Sequence, residues 1–287
     1  MNHLSILYRG PLSSCNYACP YCPFAKHVES DEEHAHDARA LERFVAWCES
    51  NDERDLSVFF TPWGEALVRT RYQKAIARLT HLPHVQKIAA QTNGSFRPDW
   101  VEGCDKSRLG LWITFHPEQT SLDRFVAQIE ALLSRGVRLS VGVVGLKEHF
   151  EAIERLRERL PREVYVWVNA FKRVEGYYSQ NDVGFLRAID HLFEWNNTRH
   201  PSLGRACRAG ESVISVDGDG IITRCHFIKT PLGNLFRDDL SDVLKPRLCS
   251  NQNCGCHIGY VHMNELKLYE TFGDGILERI PSPQRSF

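Results

Sequence analysis

The sequence lacks the features that mark nucleic-acid binding, secretion or a membrane span. Its formal net charge is −1, and lysines and arginines occur singly or in scattered pairs, without the basic runs that contact phosphates. The segment MNHLSILYRG has no basic region followed by a long apolar stretch, and no apolar run reaches membrane-spanning length. Internal repeats and low-complexity tracts are also missing. We therefore expect a cytoplasmic protein without a membrane partner, for which nucleic acid is a disfavoured substrate.

The cysteines are numerous and clustered. The chain has 287 residues, of which 43% are hydrophobic, enough for one large domain or one domain with a smaller appendage. Ten cysteines in a reducing compartment favour metal binding over disulfides. Three of them lie at residues 15–22 and five at residues 207–256, whereas Cys48 and Cys104 are expected to be structural thiols.

Up to about residue 170, short β-rich runs alternate with amphipathic helical stretches, a pattern typical of parallel α/β architecture. Six such units fit either an open doubly wound sheet or a partial barrel. Both folds place functional loops at the carboxyl ends of the strands, so the chemistry should follow the strands directly. The candidate strands are LSILYR, LSVFF, KIAAQT, LGLWITF, RLSVGVV and EVYVWVNA.

Past residue 175 the sequence becomes rich in turns. The run SVISVDGDGIITRC predicts two strands joined by an Asp-Gly-Asp-Gly turn, which is a β-hairpin. We divide the chain accordingly into a first domain at 1–175 and a second at 176–287. The tail PSPQRSF has breaker residues and little to pack, so we expect it to fray.

Cys15, Cys19 and Cys22 follow the first predicted strand with the spacing Cys-x3-Cys-x2-Cys. Structural zinc sites use four protein ligands, so a local set of three implies a fourth ligand elsewhere or an open coordination position. Three thiolates can hold three irons of a 4Fe-4S cluster and leave the fourth iron open. The competing interpretation is a zinc or redox cysteine loop.

The run CNYACPYC, with the aromatic Tyr21 before its last cysteine, resembles the cluster motif of the radical S-adenosylmethionine (SAM) superfamily. The resemblance implies a partial (β/α)6 TIM barrel and a 4Fe-4S cluster held by the three cysteines. It also implies that SAM chelates the open iron and is cleaved reductively to a 5′-deoxyadenosyl radical.

The loops after the next two strands carry weaker signals in the superfamily's order. Trp63-Gly64-Glu65 resembles its Gly-Gly-Glu motif, which binds the SAM amino group, with tryptophan in place of the first glycine. In QTNG, Asn93 is expected at the barrel mouth with its two preceding residues. An ordinary turn and helix start would explain both segments equally well.

The last three strands extend the same resemblance. In TFHPE, Thr114 and His116 correspond to polar residues that contact the SAM ribose or the substrate, and His116 is our catalytic candidate. The run VGVVGLKE partly matches the adenine-side pattern through Val143 and Gly145. In VWVN the resemblance implies that Val168 and Asn169 face the adenine.

The second cysteine group surrounds the predicted hairpin. Cys207 and Cys225 flank it with the spacing Cys-x12-Gly-x4-Cys, and Cys249, Cys254 and Cys256 follow. Spacing alone would suit a zinc ribbon. The first half resembles the SPASM and Twitch auxiliary domains, which carry further 4Fe-4S clusters, although the later Cys-x4-Cys-x-Cys departs from the SPASM pattern. Five thiols are too few for two complete clusters, so the resemblance implies one Twitch-like auxiliary cluster.

The combined resemblance implies an enzyme that performs a net oxidation, with the auxiliary cluster accepting an electron and flavodoxin or ferredoxin as electron donor. We expect a peptide or small natural-product precursor as substrate, with a peptide recognised by the barrel itself or delivered by a partner. An aminocyclitol-like dehydrogenase and a non-catalytic zinc or iron–sulfur protein on a degenerate barrel remain alternatives. Candidate substrate-side residues are His116, Lys172, Arg173, Tyr177 and Tyr178.

Overall fold

A single nine-stranded sheet organises the chain in a computed structural model that describes residues 3–24 and 27–282. Strands β1 to β6 are parallel and adjacent in sequence order, which confirms the predicted α/β architecture and partial barrel. The strands are β1 (Leu4–Tyr8), β2 (Leu56–Phe60), β3 (Val85–Thr92), β4 (Leu109–Phe115), β5 (Arg138–Val144), β6 (Val166–Asn169), β7 (His200–Pro201), β8 (Ala206–Cys207), β9 (Val213–Val216), β10 (Ile221–Cys225), β11 (Ile228–Asn234), β12 (Arg247–Leu248) and β13 (Asn253–Cys254).

Two of the helices that follow the barrel strands begin at a capping box. Ser30 and Glu33 form a capping box at the first helix, and Ser179 with Asp182 forms another at the fifth. Across the described residues, no helix combines the length and apolar character needed to cross a bilayer. The helices are α1 (Asp31–Ser50), α2 (Thr70–Thr80), α3 (Leu122–Leu133), α4 (Phe150–Arg159), α5 (Gln180–Ile189), α6 (Phe193–Asn197), α7 (Leu240–Val243), α8 (His257–Tyr260) and α9 (Leu268–Phe272).

Alternate residues of the barrel strands pack on opposite faces of the sheet. One face contacts the helices, where α1 contributes the apolar stripe that contains the buried Cys48. The other face lines the barrel interior, with Leu7, Phe59, Trp112 and Trp167 in one cluster. Because strand side chains alternate, residues two positions beyond Trp112 and Trp167 also face the interior.

The predicted hairpin is present and extends the barrel sheet. Strand β9 pairs in parallel with β1, and β10 and β11 follow as antiparallel neighbours. Gly220 in the turn has φ +80°, a left-handed conformation that favours glycine. The hairpin strands thus continue the sheet of the first six strands, and the boundary at residues 175 and 176 stays a prediction.

The carboxyl-terminal segment after α9 packs into the half of the barrel nearest the amino ends of the strands. Glu278 is fully buried there, and its carboxylate lies 2.9 Å from the Lys87 ammonium on β3. The Ser140 hydroxyl on β5 donates to the Glu278 carbonyl at 2.6 Å, and the Arg279 guanidinium lies 4.5 Å from the centre of the Trp167 ring. Of the tail expected to fray, residues 283–287 lie outside the described residues.

Candidate functional site

The first three cysteines lie on the loop between β1 and α1, at the carboxyl edge of the parallel strands. Cys19 is buried, and Cys15 and Cys22 are half-buried. Burial raises the pKa of Cys15 and raises the pKa of Cys19 to about 11. The neighbouring thiols of Cys22 and Cys15 also raise the pKa of Cys19. Cys15 and Cys19 are therefore protonated near neutral pH, and metal binding to them would release protons.

The buried carboxylate of Glu29 anchors the start of this loop. It accepts a hydrogen bond from the Ser13 backbone N–H at 2.6 Å and another from the Ser14 hydroxyl. Arg69, just before α2, donates to the same Ser14 hydroxyl at 3.0 Å. The sequence alone did not identify these residues. An acidic residue near the start of a helix is usually interpreted as a capping residue, and the partner of Arg69 is distant in the sequence.

Gly64 brings the loop after β2 into direct contact with the cysteine loop. The Gly64 N–H donates to the Leu12 carbonyl at 3.1 Å, and the Glu65 N–H donates to the Ser14 carbonyl at 3.0 Å. A Cβ atom at position 64 would lie 2.0 Å from the Ser14 carbonyl oxygen. Only glycine therefore permits this approach, one residue before Cys15.

Gly64→Ala is expected to displace the cysteine loop and to lower stability by about 1–3 kcal/mol, the usual cost of overpacking. The obstructing atom belongs to the backbone, so a side-chain rotation cannot relieve the clash. Urea unfolding and iron content after anaerobic reconstitution would measure both effects. Gly184→Ala in α5, where no atom crowds the added methyl group, is the control and should be neutral or stabilising. Equal iron content in the two variants would contradict the prediction.

The carboxylate of Glu65 is buried and points toward the end of β3. It accepts hydrogen bonds from the Thr92 hydroxyl at 2.7 Å, the Asn93 N–H at 2.6 Å and the Leu67 N–H at 3.0 Å. Burial raises the pKa of Glu65 in spite of these donors. A carboxylate offers about four acceptor positions, so one more donor fits beside the three that the described residues supply.

Asn93 joins this carboxylate to the cysteine loop. Its side-chain amide donates to Asn16 Oδ1 at 3.0 Å and lies 3.7 Å from the Cys15 sulfur. The loops after β1, β2 and β3 therefore meet at Cys15, where the motifs predict a common site.

His116, at the end of β4, lies against the middle of the cysteine loop. Its Nδ1 is 2.7 Å from the Tyr21 hydroxyl and 3.4 Å from the Cys19 sulfur. Burial, together with the nearby His149, lowers the pKa of His116 to about 4, so the ring is neutral near pH 7. The histidine thus faces a cysteine and its aromatic neighbour, and its catalytic role stays a prediction.

The remaining predicted SAM contacts separate into two groups. Thr114 follows Trp112 by two residues and Asn169 follows Trp167 by two, so both side chains face the barrel interior. The side chains of Val143 and Val168 are buried in the core between sheet and helices. Because side chains alternate along a strand, those of both valines point toward the helices and away from the barrel interior. Only their backbone atoms can therefore face the mouth.

Two further predicted residues border the mouth. The Gly145 N–H donates to the Asn169 carbonyl at 2.9 Å, joining the ends of β5 and β6. Trp63 is 41% exposed, and its ring centre lies 3.9 Å from the Arg9 guanidinium and 4.3 Å from the centre of the Phe24 ring. Tryptophan in place of the motif's first glycine therefore lies on the rim.

The second cysteine group is gathered by short strands. Cys207 is on β8, Cys225 ends β10, Cys249 follows β12, Cys254 is on β13, and Cys256 precedes α8. Burial raises the pKa of Cys254 to about 12, and the thiols of Cys225, Cys256, Cys207 and Cys249 act in the same direction. All four thiols thus lie close enough to Cys254 to influence its pKa.

Neither cysteine group is drawn together around a single ion. In the parts of the chain at 3–24 and 27–282, no three His, Cys, Asp or Glu side chains lie close enough to hold one metal ion. A 4Fe-4S cluster distributes its thiolates over separate irons, whereas zinc holds them at about 2.3 Å from one atom.

A family model described as the Radical SAM superfamily matches residues 11–172, more than half of the chain. Native anSMEcpe with bound AdoMet superposes with a TM-score of 0.55 at 13% identity, over 84% of this chain and 80% of that chain. The structure of native anSMEcpe with bound AdoMet and Cp18Cys peptide gives 0.56 at 14% identity, over 84% and 79%. BtrN in complex with AdoMet and 2-DOIA gives 0.39 at 18% identity, over 84% and 81%. No curated protein matches the sequence. At these identities, the likeness to the two anSMEcpe structures is one of fold.

Proposed function

The chain belongs to the radical SAM superfamily, and from this premise we propose that it is an enzyme that cleaves SAM and oxidatively modifies a peptide or small natural-product precursor. The proposal rests chiefly on the position of the Cys15–Cys22 loop. That loop contacts the segments after β2, β3 and β4 at one edge of the barrel.

The donor atoms fit a 4Fe-4S cluster with one open iron. Cys15, Cys19 and Cys22 would hold three irons, and soft thiolates are the usual ligands of such clusters. When bound, the cluster and SAM supply a radical that removes a hydrogen atom from the substrate. The chain's own contribution is to fix the three thiols on a loop that Glu29 and Gly64 hold in place.

The residues around the mouth would orient SAM. Glu65 has one acceptor position left for the amino group, at the point where its loop contacts the cysteine loop. The interior-facing Thr114 and Asn169 offer polar atoms to the ribose and adenine side, and Gly145 joins the ends of β5 and β6 beside them. Neutral His116 and the Tyr21 hydroxyl would lie beside the Cys19 sulfur, where hydrogen bonds adjust cluster potentials.

We assign the second cysteine group to an auxiliary 4Fe-4S cluster. Cys207 and Cys225 flank the hairpin, and two or more of Cys249, Cys254 and Cys256 would complete the ligand set. A cluster there can accept the electron that an oxidised substrate gives up. The electron for SAM cleavage would come from an external donor such as flavodoxin or ferredoxin.

Two clusters predict about eight irons and eight acid-labile sulfides per chain after anaerobic reconstitution. Zinc should be measured in the same sample. About four irons with one zinc would contradict the auxiliary-cluster assignment and leave the second cysteine group structural. Cys225→Ala should lower the iron content by about half, whereas Cys104→Ala, a buried thiol outside both groups, should leave it unchanged.

The test of the proposed function is SAM cleavage. Anaerobically reduced, reconstituted protein should convert SAM to 5′-deoxyadenosine without added substrate. Protein that holds its cluster but yields no 5′-deoxyadenosine above a no-enzyme control would contradict the proposal and favour a non-catalytic cluster protein.

The fold of a peptide-bound relative supports a peptide as the first substrate class to test. The anSMEcpe structure that holds a Cp18Cys peptide superposes on 84% of this chain. A peptide substrate would be oxidised at a side chain placed in the barrel mouth, and a small precursor would have to fill the same space.

A further inference from the structure

A cavity of about 590 Å³ lies beside the loop that follows β6. Residues 171–178 form most of its wall, and Asn197 and Arg199 complete it. It opens at the carboxyl edge of the barrel, the same edge at which the three-cysteine loop lies. The cavity is far larger than one water molecule requires, so it has room for a substrate group.

The cavity wall contacts both cysteine groups. The Arg173 guanidinium donates to the carbonyl of Tyr21, between Cys19 and Cys22, at 2.9 Å. Elsewhere in the wall, Arg199 Cγ lies 3.6 Å from the position that a Cβ atom would take at Gly255. Gly255 separates Cys254 from Cys256, so a group in the cavity would lie beside residues that contact both the first cysteine loop and the second cysteine group.

The wall carries an excess of positive charge. Lys172 donates to the Asn196 carbonyl, Arg199 donates to the Lys172 carbonyl at 2.6 Å, and Arg173 donates to a carbonyl as well. Within the described part of the chain, none of these three cations has a carboxylate within ion-pair distance. Glu175 contributes the one acidic side chain among the wall residues. Three cations and one carboxylate give the wall a formal net charge of +2.

Aromatic side chains hold this wall in place. The Tyr178 hydroxyl accepts the Phe171 N–H at 2.8 Å and donates to the Gly145 carbonyl at 2.6 Å. The Tyr177 hydroxyl accepts the Lys147 N–H at 3.0 Å. The loop is thus tied to the end of β5, which places the cations at defined positions beside apolar ring surface.

We propose that this cavity binds an oxyanion group of the substrate, a carboxylate or a phosphate, through Lys172, Arg173 and Arg199. Guanidinium groups pair with such oxyanions in two-point geometry, and a partly buried cation favours an anionic partner. The inference rests on the proposed function and adds the substrate class to it. The competing role for the cations is to offset the negative charge of the neighbouring cysteine thiolates.

Calorimetry on the reconstituted, unreduced holoprotein with SAM present would test the proposal at low ionic strength. The probes are an end-capped tetraglutamate peptide, its tetraglutamine counterpart and inorganic phosphate. We expect the tetraglutamate peptide to bind at least about tenfold more tightly than the tetraglutamine peptide if the group is a carboxylate. Phosphate binding that depends on Arg173, without this peptide preference, would identify a phosphate.

Variants separate recognition from folding. Lys172→Gln with Arg173→Gln should weaken the preferred probe at least about tenfold, and Arg173→Lys with native Lys172 should retain part of the affinity. Arg159→Gln, the same chemical change at an exposed arginine on α4, should have no effect. Equal binding of both peptides with no Arg173-dependent phosphate binding would overturn the proposal, as would an affinity that the double substitution leaves unchanged.

The outcomes also distinguish this inference from the function on which it rests. Protein that cleaves SAM but does not prefer an oxyanion probe would refute only the substrate class. Protein that binds an oxyanion probe but does not cleave SAM would refute the proposed function and leave the binding site.

Discussion

Cys19→Ala is expected to reduce SAM cleavage by the anaerobically reduced protein to the level of a no-enzyme control. Cys19 is the middle ligand of the proposed set and, at 4% exposure, the most buried of the three. Two remaining thiolates would leave the cluster a ligand short, and water reaches a buried position poorly as a replacement. The loop itself should persist, because the Cys22 N–H donates to the Cys19 carbonyl, which alanine retains.

The measurement is 5′-deoxyadenosine formed per chain, with iron content and far-ultraviolet circular dichroism on the same samples. Cys104→Ala is the matched control, since Cys104 is also buried but lies in neither cysteine group. Normal cleavage by Cys104→Ala with none by Cys19→Ala is the expected pair of results. Cleavage that persists in the Cys19 variant would remove the first motif from the mechanism.

Glu278→Ala is expected to destabilise the protein by about 3–5 kcal/mol, the usual result when one partner of a buried ion pair is removed. The Glu278 side chain is 0% exposed and the Lys87 side chain 8%, and their charged atoms lie 2.9 Å apart. Without Glu278 the lysine ammonium would remain in the barrel interior without its partner. The loss is large against a typical total stability of about 5–15 kcal/mol.

Urea unfolding followed by tryptophan fluorescence would measure this loss, because Trp112 and Trp167 line the same interior. Asp274→Ala is the control: Asp274 pairs with the partly exposed Arg138 and is itself 75% exposed, so its removal should cost about 0–1 kcal/mol. Lys87→Met combined with Glu278→Ala should recover much of the loss, since no unpaired charge is left. Equal losses of stability in Glu278→Ala and Asp274→Ala would contradict the prediction, because they would mean that water solvates the Lys87 ammonium when Glu278 is absent.

The contact between Glu278 and Lys87 also explains why the carboxyl-terminal segment was hard to interpret from sequence. The partners are separated by 191 residues, and neither lies in a motif. The helix- and strand-breaking residues of the tail predict fraying of residues 281–287, but they do not predict the structure of the residues just before the tail. In the fold, those residues close the interior beneath the proposed site.

The sequence by itself determined the alternation of strands and helices, the hairpin after residue 212 and the placement of the motifs after strands. These properties depend on local periodicity, capping and turn chemistry, which act over a few residues. The spacing of Cys15, Cys19 and Cys22 is likewise local, and so the family was recognisable from one short segment.

Only the tertiary structure decided which of these residues meet. It joined Gly64 to Ser14 by a backbone contact, turned Val143 and Val168 toward the helices, and extended the barrel sheet with the hairpin. It also placed Arg173 and Arg199 in the wall of one cavity. Such contacts arise from packing between segments far apart in the chain, so their geometry depends on the whole fold and leaves no pattern in the neighbouring sequence.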